Sequence, residues 1–282
     1  MYTISGVPLD NASRGWAVDR RTKTIPERSL DLMATIAQGR DGVVAPVPGT
    51  YQAPVWALYV RTQISTREAL VALVEGGQAI TVGSKSIEYT IAGVSIAEEN
   101  YAVGWAVMMF ALRLDGVFWR GAAFTSSVLA LDSASVSLSG LFAGLSARVQ
   151  DAMVVIQGAA SGIQVTDSGG SWFTYAGALT GAQYLRFEAE SGRAFRTSSY
   201  SLSGGTEVSG DVDYGGPRGI FEITPNWTTD PAARAGILTV STATRAGATV
   251  RVRGRAAYMS GGGASGGPSE PTGAWVDGYY IV

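Results

Sequence analysis

Apolar and polar residues alternate in short runs along much of this chain, and the period is two, that of a strand half buried in a sheet. The clearest run is Gln183 to Glu190. Leu185, Phe187 and Ala189 share one face and Tyr184, Arg186, Glu188 and Glu190 the other, which predicts an antiparallel strand with one face on a core and one in water. Comparable runs fall at Ala152 to Gln157, Ile163 to Thr166, Ser171 to Tyr175, Gly219 to Thr224, Ile237 to Ser241 and Ala248 to Tyr258, with turn residues between nearly all of them. Short strands at this spacing predict a β-sandwich or jelly roll from about Arg148 onward.

The pattern before Arg148 differs. Gly6-Val7-Pro8-Leu9-Asp10 and Gly39-Arg40-Asp41-Gly42 are turn chemistry, with a possible strand at Leu30 to Ile36 between them and another at Val55 to Arg61. One helix is predicted. Ser65-Thr66-Arg67-Glu68 has capping-box spacing, Leu70, Val71, Leu73 and Val74 cover one face, and Gly76-Gly77 offers a left-handed stop. Strands follow at Gln78 to Val82, Lys85 to Ala92 and Tyr101 to Leu114. The last begins a run from Gly104 to Arg120 that is apolar on both parities, so burial on both sides is expected. Ala122 to Gly144 turns rich in Ser, Ala and Gly, although Val128, Leu129, Leu131, Val136 and Leu138 can still form edge strands.

The fold class expected is therefore mainly β: an N-terminal β-barrel domain with one short helix, then a β-sandwich domain. The divisions are residues 1–125 for the first domain, 126–147 for linker and edge strands, and 148–260 for the sandwich. A Gly/Ser/Pro linker at 261–273 and an aromatic terminal segment at 274–282 complete the chain. A linker of this composition spans about 20 Å as a coil, and the terminal segment with Trp275, Tyr279 and Tyr280 is expected to dock on the first domain or on a neighbouring protein.

Composition narrows the chemistry. Among 282 residues there is no His and no Cys, which removes zinc sites built on imidazole or thiolate, Ser-His-Asp and Cys-His nucleophiles, and His general bases. Net charge is −2, and the cations are Arg apart from Lys23 and Lys85, so no global basic field for nucleic acid exists. The N-terminus carries neither the basic nor the apolar region of a secretory signal, and the longest apolar run is too short to cross a bilayer as a helix. A soluble, unsecreted product is expected, with no membrane insertion.

The remaining candidates each have a plainer reading. Glu188 and Glu190 have the types of a glycosidase pair but sit on an ordinary solvated strand face. Asp211-Val212-Asp213 lacks the further oxygen ligands of a calcium loop. Glu98-Glu99 reads as a surface turn, or as acid lining an opening. Arg251, Arg253 and Arg255 alternate with Val250, Val252 and Gly254, placing three guanidinium groups on one sheet face. They suit phosphate, a sulfated sugar or a partner's carboxylates, or cross-strand pairing with Glu188 and Glu190. Trp172, Tyr175, Tyr214 and Trp227 are core aromatics or a sugar platform. With the three arginines, Trp172 and Trp227 form a candidate glycan or partner face.

Several fragments, in order, resemble one family. They are Met1 to Leu9, Gly15-Trp16, Gly39 to Val43, the Gly104 to Arg120 run, Val149-Gln150-Asp151-Ala152, Ser171 to Gly177, and Gln183-Tyr184-Leu185. Together the chain resembles the distal tail proteins of long-tailed phages with non-contractile tails, especially those of actinobacterial hosts. Gly116 after Asp115, where the family often has Pro, is a local departure. The resemblance implies a ring-forming belt domain followed by a galectin-like β-sandwich, in a structural virion protein that is not an enzyme and needs no cofactor or metal. It implies a homohexameric ring at the distal end of the tail tube, with the tail tube protein above, the tail hub below and DNA passing through without specific binding. Receptor-binding proteins or host glycans would be peripheral partners, and the setting the virion tail tip, with synthesis in the host cytoplasm. Lectin activity is not implied, because sugar-binding galectins use a His-containing cluster. Arg20, Arg21, Arg40, Trp275, Tyr279 and Tyr280 are the candidate ring or partner contacts.

Overall fold

A computed structural model of the chain describes residues 1–23 and 54–261, together with the backbone of strands at 30–36, 43–51, 274–276 and 279–281. Among the described residues the structure is mainly β, with a single α-helix. The chain divides into two compact units, one built from residues 1–23, 54–120 and 259–261, the other from residues 121–258.

The strands up to the crossing point are β1 (Tyr2–Ile4), β2 (Val7–Pro8), β3 (Ala17–Val18), β4 (Leu30–Ile36), β5 (Val43–Tyr51), β6 (Val55–Gln63), β7 (Ala79–Val82), β8 (Lys85–Asn100), β9 (Trp105–Leu114) and β10 (Trp119–Thr125), with helix α1 (Arg67–Gly76) between β6 and β7. Strands β4 and β5 pair with each other as a separate two-stranded sheet. In the first unit the antiparallel neighbours run β2, β1, β7, β8, β9, β6, β3. Strand β8 changes partner along its length. Residues 85–88 pair with β7 and residues 89–100 with β9, with register shifts at Ile91/Gly93 and Ile96/Glu98. Bulges of this kind bend a strand, so the sheet curls around Ile4, Leu58, Val60, Leu70, Val74, Phe110 and Leu112, all buried.

Helix α1 lies where the spacing predicts, but its ends are made differently. A 3-10 turn, Ile64–Thr66, precedes it and no side-chain cap forms. Thr66 Oγ1 instead donates to Arg14 O at 2.9 Å and accepts Trp16 Nε1 at 3.2 Å. At the other end Gly77 is extended, with φ −81°. Its role is close approach, because an added Cβ would fall 2.4 Å from Ile4 Cγ2 and 2.5 Å from the Tyr89 hydroxyl. Gly15 does need its freedom, at φ +66°, and turns the chain so that Trp16 is buried against the helix start.

The run from Gly104 to Arg120 is two strands, β9 and β10, because residues 115–118 form a bend. Burial on both sides is not observed. Ala106, Met108, Phe110, Leu112 and Leu114 are buried, but on the opposite face only Val107 is, while Met109 and Ala111 are half-buried and Arg113 is exposed. Residues 101–104 are a turn outside the strand, and β8 continues to Asn100 where the pattern suggested an end at Ala92.

The second unit contains β11 (Leu129–Ala130), β12 (Ser135–Leu141), β13 (Met153–Asp167), β14 (Trp172–Leu179), β15 (Tyr184–Glu188), β16 (Arg193–Thr197), β17 (Thr206–Glu207), β18 (Val212–Gly215), β19 (Gly236–Ser241) and β20 (Thr244–Tyr258). The segments Ala152 to Gln157 and Ile163 to Thr166, which read as separate strands, are one continuous strand. Its first half pairs with β15 and β20, its second with β14 and β19. Between them the chain bends at Gly158, φ +96°, and Gly162, φ +57°, while Gly247 at φ +63° bends the neighbouring β20.

Two sheets result, β11-β20-β13-β15-β16-β17 and β12-β19-β13-β14-β18. Their inner faces meet through Phe173 and Phe187, stacked at 4.1 Å, with Phe221 edge-on to both at 5.2 and 5.5 Å. The unit is thus a β-sandwich in which one strand serves both sheets. At the C-terminus the backbone of β21 (Ala274–Val276) and β22 (Tyr279–Ile281) forms a hairpin with Trp275 opposite Tyr280.

Candidate interaction surfaces

In the first unit the feature that stands out is an open edge. From Thr90 onward β8 pairs only with β9, so its other side carries no strand among the described residues. Val94 and Ile96, opposite Phe110 and Met108 of β9, are 37% and 46% exposed. Long edges with exposed apolar residues are templates for further pairing unless blocked by charge, proline or bulges; here bulges at Ile91/Gly93 and Ile96/Glu98 confine the regular edge to Gly93 to Ile96. The two carboxylates at the end of β8 are not in a turn. Glu98 pairs with Arg21 at 3.3 Å and Glu99 with Arg67 at 3.0 Å.

Arg21 also pairs with Asp19 at 2.9 Å and lies over the Tyr59 ring at 5.4 Å. Burial pushes the Asp19 carboxyl up, but the hydrogen bonds and charge of Arg21 outweigh it, with Arg61 adding to them, and hold it below the usual carboxylate range. Of the candidate ring contacts, Arg20 is exposed and Arg21 is engaged within its own unit. Arg40 lies outside the described residues, and for Trp275, Tyr279 and Tyr280 only the backbone hairpin is described.

In the second unit Arg251, Arg253 and Arg255 share the outer face of β20, half-exposed, while Ala248, Val250, Val252 and Gly254 point inward. They are not equivalent. Arg251 lies over the Tyr200 ring at 4.8 Å, and Arg255 pairs with Asp151 at 2.8 Å. Arg253 and Glu188 flank Met153 on opposite sides, so Glu188 is not the cross-strand neighbour of any of these arginines. Trp172 sits on the outer face of β14, in the other sheet, opposite Gly215. Trp227 is half-exposed in a loop at φ +46°, with Arg234 at 5.8 Å from its ring. The five residues of the candidate glycan face therefore lie on three different parts of the sandwich. Tyr175 is core, as are Phe173 and Phe187.

The strand with the cleanest alternation holds the main departure from it. Arg186 lies on the outward face, yet its side chain is only 2% exposed. Its Nε donates to Glu188 Oε1 at 2.9 Å, Nη1 to Ser201 O at 3.0 Å and Nη2 to Gly204 O at 2.9 Å. Its guanidinium also lies 4.7 Å from the Phe195 ring. The loop Ser198 to Gly205 folds over the sheet and covers it. The one sequence signal for that loop is the Ser-rich run Thr197 to Thr206 with Gly204-Gly205 inside it.

Two further buried carboxylates tie loops to the sandwich. Asp167 accepts Thr224 N at 3.0 Å and Gly169 N at 2.6 Å. Glu222 is held by Arg148 at 3.1 Å, Arg218 at 3.3 Å and Gln150 Nε2 at 3.4 Å. Burial raises both carboxyls above their usual values. Backbone hydrogen bonds oppose the shift at Asp167, and Arg218 and Arg148 oppose it at Glu222. Both are engaged on all sides by neighbours of the same chain rather than aimed into an open cleft. No cluster of three or more metal-ligating side chains occurs among the described residues, and no helix among them is long and apolar enough to cross a membrane.

A curled sheet with one helix and a bent-strand sandwich define a mainly β protein of two units whose surfaces are edges and loops. One solved structure shares this fold. The Dit protein (gp 19.1) of phage SPP1, described as a paradigm of the hub adsorption apparatus in phages infecting Gram-positive bacteria, matches 90% of this chain over 98% of its own length, with a TM-score of 0.50 and 11% identity. The chain has the fold of that protein. Chains of the phage P2 baseplate in its activated conformation also match. One, solved with Ca, has 6% identity, covers 86% of this chain and 91% of its own, and has a TM-score of 0.33. Another, solved with Sr, has 8% identity, covers 81% and 89%, and has a TM-score of 0.25. No family model matches the sequence, and no curated protein sequence matches it significantly.

Proposed function

We propose that this chain is a structural protein of a phage tail tip, forming a homohexameric ring at the distal end of the tail tube. The observation that carries the reading is the shared fold with SPP1 Dit across nearly the full length of both chains. The first unit is the belt that closes the ring, joining the tube protein on one side and the tail hub on the other, and the galectin-like sandwich is carried at the periphery as a place for adhesion modules. DNA passes through the opening without being read. The protein acts by assembly rather than catalysis, which suits a sequence without His or Cys and buried carboxylates already engaged by arginines and backbone.

The open edge of β8 supports a specific ring contact. A closed ring needs head-to-tail joints between two different surfaces. One is the β8 edge beyond Thr90; the other is the opposite end of the same sheet, where among the described residues only the two-residue β3 follows β6. Pairing there buries Val94 and Ile96 and satisfies the backbone groups of the edge.

Mass photometry and negative-stain imaging of the purified chain test this. Hexameric rings are expected, and Ile96→Lys should shift them to monomer with little change in melting temperature, because Ile96 is already 46% exposed. Monomers alone at high concentration, with no ring of this protein in virions, would refute the ring. Intact hexamers in the Ile96→Lys variant would place the joint elsewhere.

A further inference from the structure

Beyond any role in a ring, the second unit has an open surface depression at the loop that Arg186 holds. It measures about 570 Å³ and is lined by Gln183, Arg196, Thr197, Ser199, Ser203 and Thr206 among others, with no acidic residue in its walls. That size falls within the range of small-ligand sites, although this lining is polar where most such sites are apolar. We propose that it binds an anionic saccharide unit, a sugar bearing one carboxylate or phosphate.

Three observations converge. The first is that the depression is built. Arg186, buried, holds the carbonyls of Ser201 and Gly204, and Gly205 at φ +104° lies so close to β16 that a Cβ there would fall 2.6 Å from Thr197 Cγ2 and 3.0 Å from Arg196 O. Thr197 Oγ1 donates to Ser199 O at 2.7 Å and Ser201 Oγ to Ser203 O at 2.6 Å, so the loop backbone is set before any ligand arrives.

The second is the hydrogen-bonding inventory. The hydroxyls of Ser199, Ser203 and Thr206 have no protein partner among the described residues, and each can both donate and accept. A cluster of free hydroxyls around one depression matches a ligand that is itself covered in hydroxyls.

The third is charge. Arg186, Arg193, Arg251 and Arg255 are each engaged by a carboxylate or a ring. Arg196, lining the depression, is half-exposed and has no ion pair among the described residues. A guanidinium in that setting pairs bidentately with carboxylate or phosphate. Tyr200, between two lining serines and 39% exposed, is edge-on to Tyr184 at 6.4 Å and carries Arg251 over its ring at 4.8 Å, contacts that anchor this part of the loop to the sheet.

Isothermal titration of the full chain tests the proposal with four probes: a glucuronate-containing disaccharide, glucose 6-phosphate, maltose and inorganic phosphate. At least one anionic sugar should bind at least ten-fold more tightly than maltose and than inorganic phosphate, and which of the two does so identifies the anion. Arg196→Gln should weaken that binding at least ten-fold with an unchanged melting temperature, while Trp172→Ala, in the other sheet, should leave it intact. No binding of either anionic sugar at millimolar concentration would overturn the proposal. So would equal binding of inorganic phosphate, unchanged affinity in Arg196→Gln, or loss of binding in Trp172→Ala.

Discussion

Arg186 separates the pattern of the sequence from the structure, and replacing it measures the difference. On an exposed strand face, a change to Met would alter stability by no more than about 0.5 kcal/mol. In the structure the side chain is 2% exposed and donates at 2.9, 3.0 and 2.9 Å to Glu188, Ser201 and Gly204. Hydrogen bonds made by a charged group contribute roughly 1.5 to 3 kcal/mol each. Two subtractions follow. The Glu188 side chain is 26% exposed, so that pair is partly screened, and removing the guanidinium also removes the cost of burying it. The net expectation for Arg186→Met is a loss of about 2 to 4 kcal/mol, which at roughly 3 °C per kcal/mol lowers the sandwich's melting transition by about 6 to 12 °C. Arg186→Lys keeps the charge but not the fork that spans two carbonyls and a carboxylate, so it should recover only part of the loss. Scanning calorimetry of the full chain reads the transition, and hydrogen exchange should show the Ser198 to Gly205 amides losing protection in step. A shift under about 0.5 kcal/mol, or a fully rescued Lys variant, would refute the clamp.

Other expectations follow from the same geometry. Gly158→Ala should destabilise the sandwich by more than about 2 kcal/mol in urea melts, because φ is +96° and the new Cβ would meet backbone atoms of Gly247 and Ala248 at 2.9 Å; a neutral result would mean the bend is not needed. Gly77→Ala should destabilise the first unit through contact with Ile4 and Tyr89 rather than through backbone strain, so pairing it with Tyr89→Phe, which removes the hydroxyl 2.5 Å from the new Cβ, should restore part of the loss. Glu222 sets a pH dependence: burial raises its carboxyl above the ordinary 4.5 against the pull of Arg218 and Arg148, so the folded state holds the proton more tightly than the unfolded chain. Its contribution is then greatest below about pH 4.5 and declines as pH rises through the folded value. Melting temperatures from pH 4 to 7 should therefore fall for the natural chain relative to Glu222→Gln; a constant difference between the two would contradict the raised value.

The division between what was legible and what was not follows the range of the interactions. Alternation along β15 and β20 marked Leu185, Phe187 and Val250 as inward and Arg251, Arg253 and Arg255 as outward, because the pleat is local to a strand. The helix was legible from its spacing, although Thr66 and Gly77 turned out to serve tertiary contacts rather than caps. Absent His and Cys excluded whole chemistries without any structure. What the chain alone could not reveal depends on residues far apart in sequence. That 153–167 is one strand shared by two sheets depends on partners up to about position 253. Arg186 is buried only because a loop 15 to 18 residues later folds back onto it. The β8 edge is open only because β7 ends where β9 continues. Periodicity records which side of an element faces inward; which edges, loops and cavities remain available is decided by the packing of elements that meet only in the folded protein.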